Sequence, residues 1–278
     1  MKHLLANRPE LINLQGQQLT SSHDIAPPNF KSLMDNEISR YKKKGLTNLL
    51  VAATIAASYL YFAPIVIKKV WPMILYLQKL YEIEDWKLAL TVIVGWNAFL
   101  IIVTQLIMWA VYHAEHPAIE KYKIGRQPWP WQENREEWIT LVKRSILNTS
   151  LNAFVTSPAV FITSVWLNNW TVEVAFSIEE LPDWPRFTAN LIFCMMCYDA
   201  LNHVFHRLLH WGPIYPYVHK VHHTYVHTVG VSTGYAHPFE AISSGILPAA
   251  FGGILLKGHM HITTGLALSF IIIVDALD

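Results

Sequence analysis

The chain has 278 residues, of which 53% are hydrophobic and only 15% are charged, whereas a soluble domain carries about 25% charged residues. Its formal net charge is +1 and it has no long basic run, which argues against nucleic acid as a partner. Eleven tryptophans and twelve tyrosines are typical of a protein that crosses two membrane interfaces. The composition therefore predicts an integral membrane protein.

The N-terminal part of the chain combines a polar arm with the first apolar run. Residues 1–45 are polar and lack the order of a signal peptide, so we expect a cytosolic arm. Leu46–Ile67 is long enough to cross a hydrocarbon core of about 30 Å. Val70–Tyr81 contains Pro72 and is too short to span, so we expect it to lie in the interface.

The central part of the chain predicts two further spans separated by a polar loop. Leu88–Tyr112 is an uninterrupted apolar run, and Ser145–Leu167 is interrupted at Pro158. Proline is tolerated in a membrane helix where neighbouring helices satisfy the freed backbone groups. The loop is rich in tryptophan, and three of these side chains are expected at the level of the lipid headgroups: Trp129, Trp131 and Trp138.

The C-terminal part predicts a fourth span and an apolar hairpin. Phe187–Leu201 is the fourth span, and Ala241–Leu256 with His259–Leu277 forms the hairpin. The predicted fold class is an all-α integral membrane protein with about four transmembrane helices plus this hairpin. The predicted divisions are an arm at 1–45, spans and loop at 46–186, and a histidine-bearing domain at 187–278.

Most of the chain's 14 histidines lie between Asp199 and Glu240, in two groups with helical spacing. The two members of the first group lie at i and i+4, and the members of the second group lie at i, i+3 and i+4, so each group shares a helix face. Facing helices build di-metal centres from such side chains, and imidazole suits Zn, Cu, Fe and Ni alike. Scattered surface histidines are the alternative, but five imidazoles at these spacings rarely serve packing alone. The five predicted ligands are His206, His210, His219, His222 and His223.

Three residues near these groups are candidates for a supporting role. Asp199 lies seven residues before His206, on the same helix face, where a carboxylate accepts the outer N–H of a ligand ring. Glu240 is predicted to pair with Arg207 or Lys220, or to act near the metal. His237 has either a ligand role or a supporting role. The chain has no HExxH, GxGxxG or P-loop motif, so reducing equivalents must come from another protein.

The distribution of positive charge predicts which side of the membrane the histidines occupy. Arg40 and the three lysines at 42–44 precede the first span, and the positive-inside rule places them in the cytosol. Counting the spans from there brings the segment from His206 to His237 to the cytosolic face as well.

Three segments carry a family resemblance: DALNHVFHRLLH, IYPYVHKVHHTYV and GYAHPFE. They resemble the fatty acid hydroxylase/sterol desaturase superfamily, and within it the C-4 methylsterol oxidases. The resemblance implies a non-haem di-iron oxidase of the endoplasmic reticulum membrane. Such enzymes use O2 and electrons from NAD(P)H through cytochrome b5 to oxidise a sterol methyl group. By motif, His206 and His210 form the first ligand box, and the second group forms the second box.

The resemblance also sets the alternatives that the sequence leaves open. The family continues with a histidine-glycine-tyrosine motif and a third box, HxxHH, after a segment like the one that ends at Asp278. The five box histidines do not complete a di-iron site, so we expect either a truncated sequence or a member that has lost its chemistry, and the two intact boxes favour truncation. The functional alternatives are a non-catalytic membrane scaffold subunit and a different sterol or lipid desaturase or hydroxylase.

Overall fold

The computed structural model describes residues 30–116, 128–225 and 229–276, with side chains from residue 50 onward. Within these ranges the chain is helical, and the only strand-like pairing is an isolated bridge between Ala175 and His261. The predicted all-α class is therefore confirmed. Most of the predicted polar arm, residues 1–29, lies outside the described residues, as does Asp278.

The long helices of the described ranges are numbered here in chain order. They are α1, Phe30–Leu80; α2, Asp85–Ala114; α3, Arg135–Leu167; α4, Trp184–Leu209; α5, Pro238–His259; and α6, Ile262–Asp275. A short helix, Pro130–Glu133, precedes α3, and two 3₁₀ turns, His219–Thr224 and Gly230–Ser232, lie between α4 and α5. The chain divides at Tyr59 into two compact units, and the second unit contains α2 to α6 with all the predicted ligands.

Four stretches of the described helices are long and apolar enough to cross a membrane: Leu50–Leu80, Asp85–Ala114, Arg135–Leu167 and Pro238–His259. The predicted fourth span, within α4, is not among them, because Asn190 and Asp199 interrupt its apolar run and Arg186 lies directly before it. The second arm of the predicted hairpin is the shorter apolar helix α6.

The predicted break between the first span and the interfacial segment is absent, because α1 continues through Pro72 to Leu80. Proline removes one backbone hydrogen bond from a helix, and tertiary contacts at the neighbouring residue offset this loss. Trp71 is only 2% exposed, and its Nε1 donates to the carbonyl of Phe176 at 2.7 Å. The sequence contains no local signal for this distant contact.

Two helices carry a π turn shortly before a proline. The turn Asn152–Thr156 precedes Pro158 in α3, and the turn Ala241–Ile246 precedes Pro248 in α5. A π turn widens the helix and so leaves room for a proline ring, which otherwise clashes with the carbonyl four residues earlier. The predicted interruption at Pro158 is thus a bulge within one continuous helix.

Helices α4 and α5 pack closely and run antiparallel. At their crossing, a Cβ on Gly252 would lie 2.7 Å from the Sγ and 2.8 Å from the Cα of Cys194, so only glycine fits. Small residues allow helix backbones to approach in membranes. At a rise of about 1.5 Å per residue, the crossing lies about 18 Å from both His206 and Glu240. The two helices therefore bring these residues to the same end of the pair.

Candidate metal centre

Four of the five predicted ligands converge on one point. The ligand atoms of His206, His210, His219 and His223 all lie within 4.8 Å of one another, and this group is called the histidine cluster below. The Nε2 of His210 is 3.3 Å from that of His206 and 3.1 Å from that of His219, and the Nε2 of His223 is 3.0 Å from that of His219.

The first pair of rings is positioned by the end of α4. His206 lies in the last turn of the helix, and His210 is its C-cap, with helical φ and ψ of −74° and −5°. The four-residue spacing therefore keeps both rings on one face, with centroids 5.1 Å apart. The prediction of one helix face for this pair is correct.

The second group lies on a 3₁₀ turn, where an α-helical face was expected. In a 3₁₀ turn, residues i and i+3 eclipse each other, and the ring of His222 accordingly stacks on that of His219 at 5.7 Å and 20°. His223 reaches the cluster instead. The Nδ1 of His222 is buried and has no hydrogen-bond partner among the described residues.

Glu240 is buried and bonds to His219, with its Oε1 2.8 Å from the ring Nδ1. The predicted pairing of Glu240 with Arg207 or Lys220 is therefore wrong. Glu240 lies in the first turn of α5, and from there its carboxyl group reaches the fully buried ring of His219. A partner at Nδ1 fixes the orientation of an imidazole and the tautomer that its Nε2 presents.

Desolvation lowers the pKa values of three rings of the cluster. Desolvation, followed by the neighbouring imidazoles, lowers the pKa of His219 to about 3. The same causes, in the same order, lower the pKa values of His206 and His223 below the usual 6.5. Neutral imidazole is the form that binds metal ions, so these three rings are uncharged at neutral pH, as metal binding requires.

Hydrogen bonds alone do not satisfy the cluster. Whichever atom of the His219–Glu240 pair holds the shared proton, the Nε2 of His219 carries either one hydrogen or one lone pair. It nevertheless faces two nitrogen atoms, those of His210 and His223, at 3.1 and 3.0 Å. One of these contacts is therefore left without a normal hydrogen bond. A cation removes the conflict, because every Nε2 then directs a lone pair towards it.

The spacing of the donor atoms also suits one metal ion. With metal–nitrogen bonds of about 2.1 Å, two ligands at octahedral or tetrahedral angles lie about 3.0 to 3.4 Å apart. The measured contacts between Nε2 atoms are 3.0, 3.1 and 3.3 Å. The residues present therefore fit a metal ion held by imidazoles.

The remaining candidate residues lie around the cluster and not within it. His237 caps the start of α5, where its Nδ1 accepts the backbone N–H of Phe239 at 3.1 Å. Asp199 is exposed and lines an open cavity of about 760 Å³ beside the cluster, together with Asn202, His203, His206, Arg207 and His210. Among the described residues, no hydrogen bond joins Asp199 to a ligand ring.

One residue of the site was missed from the sequence. The ring of Tyr215 stacks on His210, with centroids 5.8 Å apart at 18°, and lies 5.9 Å from the ring of His223. It packs against one ligand from each group and so limits the freedom of both rings. Its only signal in the sequence is its position between the two groups.

Comparisons with known proteins agree with this site. Residues 191–277, which contain all five predicted ligands, match the family model for fatty acid hydroxylase. Methylsterol monooxygenase 1 of Gallus gallus is 31% identical over 147 residues, which cover 52% of this chain and 46% of that protein. Methylsterol monooxygenase erg25A of Aspergillus fumigatus is 34% identical over 98 residues, covering 34% of this chain and 32% of that protein.

A third relative carries the domain name itself. Fatty acid hydroxylase domain-containing protein 2 of Macaca fascicularis is 36% identical over 95 residues, covering 34% of this chain and 28% of that protein. The chain thus spans less than half the length of these relatives. No solved structure matches significantly. The predicted resemblance to the fatty acid hydroxylase/sterol desaturase superfamily is confirmed over the matched residues.

Proposed function

We propose that this chain forms the iron-binding part of a membrane oxidoreductase of the monooxygenase type, which oxidises a sterol or a related lipid. The observation that carries the proposal is the convergence of four imidazoles whose contacts hydrogen bonds cannot satisfy. Their position within the fatty acid hydroxylase match supports the reaction class. The relatives named methylsterol monooxygenase support sterol methyl oxidation.

Different residues of the chain have different roles at the site. The histidine cluster binds one iron ion, and Glu240 holds the proton at the Nδ1 of His219 so that its Nε2 faces the metal. The fully buried His219 closes one side of the centre to water. When bound, iron supplies the activation of O2, which no side chain provides.

The cavity beside α4 gives the substrate its approach. His206 and His210 form part of its wall, and its volume of about 760 Å³ lies within the range of about 300–1,000 Å³ for small-molecule sites. A lipid held there places a carbon next to the exposed side of the cluster. Which carbon reacts is set by the cavity wall, where Asn202, His203 and Arg207 supply the polar groups.

We extend the proposal to a second iron and to the source of electrons. The four converging nitrogens account for one ion, and we assign His222, whose ring stacks beside the cluster, to the second. Asp199, which lines the cavity together with His206 and His210, is the carboxylate that we assign to support this ion. The proposed electron route is NAD(P)H through cytochrome b5. The proposed location is the endoplasmic reticulum membrane, with the histidines in the cytosol.

Iron binding and turnover test the proposal directly. The chain is purified in detergent, iron is measured per chain, and O2 consumption is followed with a methylsterol and a reductant. His206→Ala is expected to lower the iron content and abolish turnover. His259→Ala is the matched control, because that side chain is exposed and lies in the turn that ends α5. Equal iron in the two variants would refute the ligand assignment, and an iron-free wild type that copurifies with a larger complex would favour a scaffold role.

A further inference from the structure

A polar stripe runs along one face of α3, a helix long and apolar enough to cross a membrane. Its members lie at i, i+3, i+4 and i+7, spacings that share a helix face. They are Ser145, Asn148, Thr149 and Asn152. Polar groups inside such helices face protein partners and mark functional sites. The stripe contacts the chain at two places between the 3₁₀ histidine turn and Glu240: directly after the turn and directly before α5.

The two asparagines hold both sides of one residue. The Oδ1 of Asn148 accepts the backbone N–H of Ala236 at 3.1 Å, and the Nδ2 of Asn152 donates to the carbonyl of Ala236 at 2.9 Å. The backbone roles fix which end of each amide faces Ala236, because an N–H donates and a carbonyl accepts. The pair therefore holds Ala236 against α3, and these two hydrogen bonds are called the asparagine clamp below.

The serine and the threonine hold the chain at two further points. The Oγ of Ser145, which is fully buried, lies 2.6 Å from the hydroxyl of Tyr225, the residue that follows the histidine turn. Thr149 packs so closely on Gly234 that a Cβ there would lie 2.6 Å from the threonine Oγ1. The stripe thus fixes the chain directly after the histidine turn and directly before α5.

The clamp is linked to the metal centre through a short, stiff segment. Glu240 lies four positions after Ala236, and the segment between them contains the cap made by His237 and the fixed φ of Pro238. A shift of Ala236 therefore moves Glu240 relative to the Nδ1 of His219.

We propose that Asn148 and Asn152 are positioning residues, which set Glu240 against His219 and thereby aim the Nε2 of His219 at the metal ion. This inference rests on the proposed function only in requiring that the cluster bind metal. The competing explanation is that the asparagines merely satisfy the polar groups of Ala236 inside the membrane. That role contributes to stability but not specifically to metal affinity.

Replacing asparagine by aspartate at each of the two positions separates the positioning role from the purely structural role. Asn148→Asp keeps an acceptor for the N–H of Ala236, whereas Asn152→Asp replaces a donor with a carboxylate that faces a carbonyl oxygen. Co²⁺ alone, titrated into the detergent-purified chain and followed by its visible absorption, is the probe. Loss of a residue that orients a metal ligand weakens affinity by roughly 10–100-fold, so we expect about tenfold for Asn152→Asp, which acts one step further away, and less than about twofold for Asn148→Asp.

Two further variants keep the test decisive. Asn152→Ala removes the donor without adding a charge and should also weaken Co²⁺ binding. It therefore serves as the test variant if Asn152→Asp does not fold. Thr163→Val is the control in the same helix, because Thr163 is exposed and, among the described residues, its hydroxyl bonds to the carbonyl of Ala159 within α3 and to nothing else. Asn152 variants that bind Co²⁺ as tightly as Thr163→Val would overturn the proposal.

A double-mutant cycle tests whether Asn152 acts through Glu240. In a Glu240→Ala background, the Asn152 substitution should have little further effect, because the residue that it positions is gone. A full, additive loss would mean that Asn152 acts independently, which overturns the proposal.

Hydrogen–deuterium exchange separates this inference from the proposed function. If the wild type binds no Co²⁺, the metal function fails, but the clamp is still tested by exchange in residues 219–225 and 229–240. Faster exchange in both segments of the Asn152 variant supports the clamp, and unchanged exchange refutes it.

Discussion

Replacing Glu240 by alanine removes the carboxyl group that lies 2.8 Å from the Nδ1 of His219. With a cation at Nε2, the bond runs from the ring N–H to the carboxylate, and such a bond to a charged group contributes about 1.5–3 kcal/mol. Since about 1.4 kcal/mol corresponds to a factor of ten, the loss predicts metal binding about 10–100-fold weaker. Glu240→Gln keeps a neutral acceptor, which is about half as strong, so about 0.8–1.5 kcal/mol is lost and binding should weaken about 3–10-fold.

The assay for this prediction is a titration of the purified chain with Zn²⁺ or Co²⁺ in detergent. Glu173→Gln is the control, because that side chain is exposed and lies in the segment between α3 and α4. The expected order of affinity is wild type and Glu173→Gln, then Glu240→Gln, then Glu240→Ala. If Glu240→Ala bound either metal as tightly as the control, Glu240 would not orient a ligand, and the histidine cluster would need another explanation.

Two other predictions follow from packing and from protonation. Gly252→Val should lower the melting temperature in detergent and weaken metal binding, because its side chain would overlap Cys194 and separate α4 from α5. Gly245→Ala, where a Cβ has open space, should change neither quantity. The lowered pKa of His219, about 3 against about 6.5 when unfolded, means that the unfolded chain binds more protons between these values. The contribution of His219 to the stability of the chelator-treated chain should therefore be complete above about pH 6.5 and fall as the pH drops towards 3. His219→Gln should flatten this dependence in melting curves, and an unchanged slope would contradict the buried neutral ring.

The first group of histidines was predictable because its geometry is local. His206 and His210 lie one turn apart on α4, and no distant contact is needed to place them on one face. The second group was predictable only in part. A spacing of i, i+3, i+4 fits both an α-helix and a 3₁₀ turn, and only the turn makes His222 eclipse His219, so that His223 joins the cluster.

The contacts that complete the site are distant in sequence and left no such signal. Glu240 lies 21 residues from His219, and the sequence offered Arg207 and Lys220 as equally plausible partners. The choice is made by the close α4–α5 crossing at Gly252 and by the asparagine clamp on Ala236. The crossing depends on the space left by the missing Cβ of Gly252, and the clamp depends on the orientation of the asparagine amides. Neither property can be read from composition or periodicity.

The ends of two antiparallel helices explain why a cation and a carboxylate share this site. His206 and His210 lie at the C-terminus of α4, where the helix dipole stabilises positive charge by about 0.3–1 kcal/mol. Glu240 lies in the first turn of α5, where the dipole stabilises negative charge to a similar degree. The buried ring of His219 stands between them, with Nδ1 on the carboxylate and Nε2 in the cluster. Burial raises the pKa of Glu240 to about 8, so the helix dipole alone does not keep the carboxyl group charged. A metal ion in the cluster would favour the charged carboxylate and so complete the arrangement.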